Sequence, residues 1–218
     1  MFTGIVEATG YLIEVTKVTG DLSVKINSGI LDLSDVKLGD SIATNGVCLT
    51  VTELFNHGYS ADISPETLSL TGFDRYSIGQ KLNLEKALTI SSRLGGHLVS
   101  GHVDGIAQVT RIVPNARTTE YWLSAPIELA KYIPLKGSVC IDGISLTVNE
   151  INAQQFKLTI VPHTIAHTTI ADFQVGSLVN LEVDQIARYL ERLLSPSTEQ
   201  APASDLSMAL LKSAGFVQ

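Results

Sequence analysis

Along residues 41–54 and 138–151, Ile, Val, Leu and Thr follow one another almost without a break, and each run is interrupted once, by Asn45-Gly46 and by Asp142-Gly143. Runs rich in β-branched residues predict strands. Asn-Gly and Asp-Gly tolerate positive φ, so each dipeptide predicts a tight turn or bulge inside its run. Shorter strands are predicted at 59–63 and 156–161. Pro65 and Pro162 end them, because proline cannot donate to a strand ladder. A helical turn is expected after each proline, at 66–70 and 163–168. Ile78-Gly79 and Val175-Gly176 then lead into final strands that both end Asn-Leu-Glu. The period changes at 184–194, where Ile186, Tyr189, Leu190, Leu193 and Leu194 fall on one helical face and Arg188, Glu191 and Arg192 fall off it. Residues 195–204 hold two prolines among small polar residues and read as a flexible linker. A second short helix is expected at 205–214, capped by Ser204.

The strand pattern occurs twice. A shift of 97 positions lays residues 41–85 on 138–182 without a gap and with 14 identities in 45 positions, which points to duplication rather than shared composition. Upstream, Gly4-Ile5 is matched with Gly105-Ile106 at a shift of 101, which predicts a few inserted or deleted residues between the halves. Two copies of ~95 residues make two small domains, not a solenoid of many short units. The expected division is 1–97, then 98–194 with a helix from about 185, then 195–218 as linker and tail. Short strands at regular spacing predict one small closed barrel per copy, in an all-β fold.

Composition narrows the function. A net charge of -7 argues against nucleic acid, which demands clustered Lys and Arg. No apolar run approaches the ~20 residues of a membrane span. Met1-Phe2-Thr3-Gly4 lacks the basic start of a signal peptide. Cys48 and Cys140 are too few for a disulfide framework or a cysteine-based zinc site. A reduced, cytoplasmic protein is expected.

Candidate chemistry is sparse. Leu94-Gly95-Gly96-His97 lacks the Lys-Ser/Thr of a phosphate-binding loop. His97 and His102 lie five apart, but no third and fourth metal ligands accompany them, so no metal is expected. His102, between Gly101 and Gly105, suits either a ligand contact or a backbone hydrogen bond. Cys48 follows the Asn45-Gly46 turn and is answered in the second copy by Ser145, so a small nucleophilic or hydrogen-bonding group is useful at both places. A buried, inert cysteine is the plainer reading, and it suits Cys140 well. Ser41, Thr50 and Thr67, with Ser138, Thr147 and Thr164 opposite them in the repeat, are hydroxyls that could line a pocket. The proline breaks at Asp62-Ile63-Ser64-Pro65-Glu66-Thr67 and Thr159-Ile160-Val161-Pro162-His163-Thr164 free backbone groups for the edge of a heterocycle. Asp184 either caps the helix that follows or takes part in chemistry.

Four segments resemble the riboflavin synthase family built from two lumazine-binding repeats: residues 1–7 (Met-Phe-Thr-Gly-Ile-Val-Glu), 45–51 (Asn-Gly-Val-Cys-Leu-Thr-Val), 95–103 (Gly-Gly-His-Leu-Val-Ser-Gly-His-Val) and 142–148 (Asp-Gly-Ile-Ser-Leu-Thr-Val). The resemblance spans about residues 1–194, in order and at family spacing. It implies two similar six-stranded antiparallel Greek-key barrels plus a C-terminal α-helix, assembled through that helix as a homotrimer. It implies the dismutation of two 6,7-dimethyl-8-ribityllumazine molecules, with four carbons passing from one to the other and no cofactor. Carried over position by position, the catalytic candidates are His102, Cys48, Ser41 and Asp184. The substrate-binding candidates are Gly4, Ile5, Val6, Cys48, Leu49, Thr50, Asp62, Ile63, Ser64, Pro65, Glu66, Thr67, Gly101, His102, Val103, Lys136, Ser145, Leu146, Thr147, Thr159, Ile160, Val161, Pro162, His163 and Thr164, of which Ser145, Thr147 and Thr164 match the second pocket. Position 47 is Val where some relatives of the family carry a second cysteine. The alternative is a non-catalytic lumazine-binding fluorescent antenna protein, which uses a similar barrel pair. A flavin-reductase-like barrel would need a dinucleotide fingerprint, and none is present.

Overall fold

A computed structural model describes residues 1–18, 21–195 and 212–215. The first barrel is built from β1 (Ala8–Val18), β2 (Asp21–Asn27), β3 (Ser41–Thr44), β4 (Val47–Phe55), β5 (Gly58–Ile63) and β6 (Lys81–Lys86). It closes in the order β1-β2-β5-β4-β3-β6, antiparallel throughout, which is a Greek-key path. The second barrel uses β7 (Gly105–Asn115), β8 (Thr118–Ser124), β9 (Ser138–Ile141), β10 (Ile144–Asn152), β11 (Gln155–Ile160) and β12 (Leu178–Val183) in the same order. Short helices α1 (Pro65–Leu70) and α3 (Pro162–His167) follow the proline breaks, and α2 (Ile127–Ala130) is peculiar to the second barrel. The proline at the first turn of α1 and of α3 sits where its missing N–H costs nothing.

All six strands of one barrel begin 97 residues before those of the other. The bulges repeat at the same offset, between Leu12 and Glu14 and between Val109 and Arg111, then between Val51 and Glu53 and between Val148 and Glu150. The insertion expected upstream therefore does not exist. Gly4 answers Gly101, not Gly105, and both stand in the left-handed region at φ 74° and 78°. Gly105 merely begins β7, opposite Ala8 at the start of β1. Matching letters misled there, and matching backbone conformation decides it.

Each barrel has its own core. In β2, alternate residues Leu22, Val24 and Ile26 point inward, as a strand with one wet face requires. They meet Leu49, Val51, Tyr59, Ala61, Leu82 and Leu84 from the other strands. Ala107, Val109, Leu123, Val148, Phe156, Leu158, Val179 and Leu181 fill the second barrel. The segments that enter β1 and β7 cross over: Val6 packs against the core of the second barrel, and Val103 belongs to the core of the first. A third small cluster of Phe2, Ala43, Val99 and Cys140 joins the barrels. Phe2 and Val99, 97 apart, exchange backbone hydrogen bonds of 2.7 and 3.1 Å. That reciprocal pair is what a two-fold axis through the chain produces.

Helix α4 (Gln185–Leu194) follows β12. Ile186, Tyr189, Leu190, Leu193 and Leu194 are all exposed, so the apolar face read from the sequence is present. The linker expected at 195–204, beyond Ser195, and nearly all of the helix expected at 205–214 lie outside the described residues, and Lys212 and Ser213 are helical. Among the described residues no helix is long and apolar enough to cross a membrane.

Candidate functional site

Two crossing segments, one per repeat, shape two related sites. Gly4 accepts the backbone N–H of Ser145 at 2.7 Å, and Gly101 accepts that of Cys48 at 2.8 Å. A Cβ on Gly4 would stand 2.6 Å from the Ser145 Cβ, and one on Gly101 would stand 2.6 Å from the Cys48 Cβ. Positive φ and this close approach together demand glycine at both places. A buried glutamate fastens each segment. The Thr3 N–H and hydroxyl both donate to Glu85 Oε1, and the Gly4 N–H donates to Glu85 Oε2. The Ser100 and Gly101 N–H groups donate to Glu182, at 2.6 and 2.9 Å. Burial raises both carboxyls, Glu182 to about 7, while these hydrogen bonds pull the other way.

The first site is a cavity of about 230 Å³, lined by Val47 and Cys48 at the start of β4, Glu66, Thr67, Leu70 and Thr71 around α1, and Gly101, His102 and Val103 of the crossing segment. Six of the residues picked out from the sequence meet here: Cys48, Glu66, Thr67, Gly101, His102 and Val103. Ser64 caps α1 by accepting the Thr67 N–H. Leu49 and Ile63 turn their side chains into the barrel core, so only their backbone is left for a ligand. Ser41 stands opposite Thr50 across β3 and β4, outside this lining. Asp62, Ser64 and Pro65 are exposed beside it in the chain.

At the equivalent place in the second barrel the side chains differ. Ser145 takes the place of Cys48, Ile5 that of His102, and His163 that of Glu66. His163 stacks on His167 at 4.2 Å, and the His163 carbonyl contacts His167 Nδ1 at 2.8 Å. Val161, unlike Ser64, offers its helix no side-chain cap. The Thr159 N–H donates to Asn149, while Ile160 is buried and Leu146 packs on the core from its edge. Thr147 is exposed on β10, opposite Ser138. Thr164 and His163 begin α3 behind Pro162. Lys136 holds φ 66° in the loop before β9, where the first barrel has Gly39 at φ 90°.

His97 and His102, paired in the sequence, part in the structure. His102 joins Cys48, whereas His97 Nδ1 lies 2.7 Å from the Ser145 hydroxyl. His97 is buried, and its Nε2 has no hydrogen-bond partner. Burial lowers its pKa, partly offset by the negative charge of Asp184. An unpartnered buried nitrogen costs on the order of 1–3 kcal/mol. Asp184 itself caps α4, accepting the Ile186 N–H at 3.0 Å. Among the described residues no group of three or more His, Cys, Asp and Glu could hold a metal ion.

A network between the barrels sets their relative register. The Asn83 amide donates to the Asp142 carbonyl, and the Asn180 amide donates to the Asn45 carbonyl. Their oxygens accept the N–H groups of Thr169 and Gly72. The turns Asn45-Gly46 and Asp142-Gly143 touch, leaving no room for a Cβ on either glycine. Symmetry breaks at Asp142, whose buried carboxyl is pushed up to about 7. Glu85, Glu182, Asn83 and Asn180 were not picked out from the sequence. The shared Asn-Leu-Glu ending of the two repeats was their signal. In the sequence His97 is half of an incomplete metal pair, and the fold supplies its partner, Ser145.

The model of the Lumazine binding domain family matches residues 3–87 and 100–184, again 97 apart. The chain is 52% identical over 217 residues to the riboflavin synthase of Photobacterium phosphoreum, covering 100% of both chains. It is 39% identical over 216 residues to that of Bacillus subtilis (strain 168), covering 99% of this chain and 100% of the other. Two solved structures of LumP, one complexed with riboflavin and one with 6,7-dimethyl-8-(1'-D-ribityl) lumazine, superpose with TM-scores of 0.78 and 0.75. Their identities are 26% and 25%, over 84% of this chain and 99% of each of theirs.

Proposed function

The chain belongs to the riboflavin synthase family, transferases carrying two lumazine binding domains, and from that premise we propose how its residues divide the reaction. Two molecules of 6,7-dimethyl-8-ribityllumazine react, and one gives four carbons to the other. The products are riboflavin and 5-amino-6-ribitylamino-2,4(1H,3H)-pyrimidinedione. One substrate molecule oxidises the other, so the electron balance closes without a redox cofactor. The observation that carries this reading is the pairing of two related but chemically unequal sites in one chain. One offers Cys48, His102, Glu66 and Thr67, and the other offers Ser145, His163 and Thr164.

His102 takes the proton that leaves the 7-methyl group of one lumazine. It sits exposed at the cavity rim, where its ring is within reach of a ligand bound there. Cys48 and Ser41 serve C7 of the acceptor, and Asp184 lies near the reacting pair. Leu49–Thr50, Asp62–Thr67 and Gly101–Val103 bind one heterocycle, and Gly4–Val6, Lys136, Ser145–Thr147 and Thr159–Thr164 bind the other. Holding two reactants in register contributes on the order of 7–11 kcal/mol when they are well oriented. The chain works as a homotrimer in which the first barrel of one subunit meets the second barrel of its neighbour. The exposed apolar face of α4 supports this, since five large apolar side chains on ten residues call for a partner surface. Two free cysteines suit a reducing cytoplasm.

The antenna alternative rests on the LumP likeness, at about half the identity shared with the Photobacterium phosphoreum synthase. Purified protein incubated with 6,7-dimethyl-8-ribityllumazine separates them. Riboflavin formation at one product per two substrates is expected. Bound, fluorescent lumazine without turnover would overturn the enzyme reading.

A further inference from the structure

The two sites differ in how their small polar group is held, and the difference traces to the chain between the barrels. At Cys48 the hold is on the backbone, whose N–H donates to the Gly101 carbonyl at 2.8 Å. Ser145 has the matching grip from Gly4 and a second one besides, the His97 ring at 2.7 Å from its hydroxyl. The segment that brings His97 there is itself anchored. The His97 N–H donates to the Thr3 carbonyl at 3.1 Å, and Thr3 is bound through its own N–H and hydroxyl to Glu85. Gly96 passes so close that a Cβ would lie 2.1 Å from the Thr3 carbonyl oxygen and 2.8 Å from the Ser145 hydroxyl oxygen. No residue but glycine fits between them.

We propose that His97 is a positioning residue of the second lumazine site, setting the direction in which the Ser145 hydroxyl meets substrate. The ring does not reach substrate itself, because both its polar atoms are enclosed. Nδ1 faces Ser145, and Nε2 is buried without a partner. Ser145 is only half-buried. A serine hydroxyl has one proton and two lone pairs, and it rotates freely unless a neighbour claims one of them. Whichever ring nitrogen carries the proton, the Nδ1 contact claims one direction and leaves the others for the ligand. Burial lowers the pKa of the ring, against the pull of Asp184, which favours its uncharged form. The first site needs no such device, since His102 itself lines that cavity and Ile5 stands at the equivalent place in the second. From the chain between β6 and β7, His97 supplies the polar partner that Ile5 cannot.

This inference rests on the lumazine reading, and one set of variants tests both. Riboflavin formation and lumazine binding, read by lumazine fluorescence, are measured for the parent, His97→Leu, His97→Asn, Ser145→Ala and the double variant His97→Leu/Ser145→Ala. In His97→Leu, kcat is expected to fall at least tenfold with KM changed less than threefold. His97→Asn, whose carboxamide reaches the place of Nδ1, restores most of the rate. In the Ser145→Ala background, His97→Leu has no further effect. Additive losses in the double variant, or a loss in KM alone, would overturn the proposal. If His97→Leu fails to fold, the same cycle built with His97→Gln, whose longer side chain puts its amide at the place of Nε2 and gives up the Nδ1 contact, decides by the same criterion. A parent that binds lumazine without making riboflavin sinks the enzyme reading instead, and the cycle read on binding still decides the His97–Ser145 pair by whether it is additive.

Discussion

The two barrels share a backbone and differ in what they hold out to a ligand. Strands, bulges, the proline-started helices and the glutamate-fastened crossing segments recur 97 residues apart. The exchanges at the sites do not preserve chemistry: thiol for hydroxyl at Cys48 and Ser145, imidazole for alkyl at His102 and Ile5, carboxylate for imidazole at Glu66 and His163. Duplication supplies two places for two identical molecules, and divergence of a few side chains lets the molecules play different parts. A reaction between two copies of one substrate needs both conditions.

Several changes break or sharpen that comparison. The largest effect is expected from truncation after Asp184. Each barrel keeps its own core, but the proposed meeting of first and second barrels from neighbouring subunits is lost. Turnover is lost and light scattering reports a monomer, whereas a trimeric product would refute the role given to α4. Within the first site, His102→Ala and Cys48→Ser are each expected to slow riboflavin formation by roughly 100-fold while lumazine binding changes much less. Rates that stay within about threefold of the parent in both variants would remove these residues from the mechanism. Gly4→Ala and Gly101→Ala probe what the barrels share. Each forces a Cβ against a neighbouring backbone at positive φ, for a loss of about 2 kcal/mol in denaturant unfolding. Equal losses fit one clamp used twice, and an unaffected variant would break the equivalence.

The smallest effect is expected at Asp142. Burial raises its carboxyl, and that of Glu182, to about 7. A carboxyl with its folded pKa above the unfolded value of about 4 favours the fold most at low pH and loses that contribution as pH climbs to about 7. Stability should therefore decline between about pH 4 and pH 7. Asp142→Asn copies Asn45, removes one of the two titrations, and is expected to flatten the decline and add on the order of 1 kcal/mol at pH 8. A variant with an unchanged pH profile would show that Asp142 is ionised at no cost.

Strand pattern and repeat were legible in the sequence because both depend on short-range periodicity and on letters that recur. The lining of the first cavity was legible in two ways: Cys48, Gly101, His102 and Val103 lie in the motifs, and Glu66 and Thr67 lie at the proline break. The upstream register was not, since Gly4-Ile5 and Gly105-Ile106 share letters but not φ. His97 was not either. Its partner Ser145 lies 48 residues away, and nothing local announces a contact that exists only once Gly96 lets two segments touch. The buried Glu85 and Glu182 read as ordinary strand ends until the crossing segments bring N–H groups to them.

The central claim, two working sites of unequal chemistry in one chain, is tested most directly by titrating the slow variant His102→Ala with 6,7-dimethyl-8-ribityllumazine and counting what binds. Two molecules per chain, with distinct affinities, are predicted. Saturation at one molecule per chain would contradict the account and leave a single-site binding protein in its place.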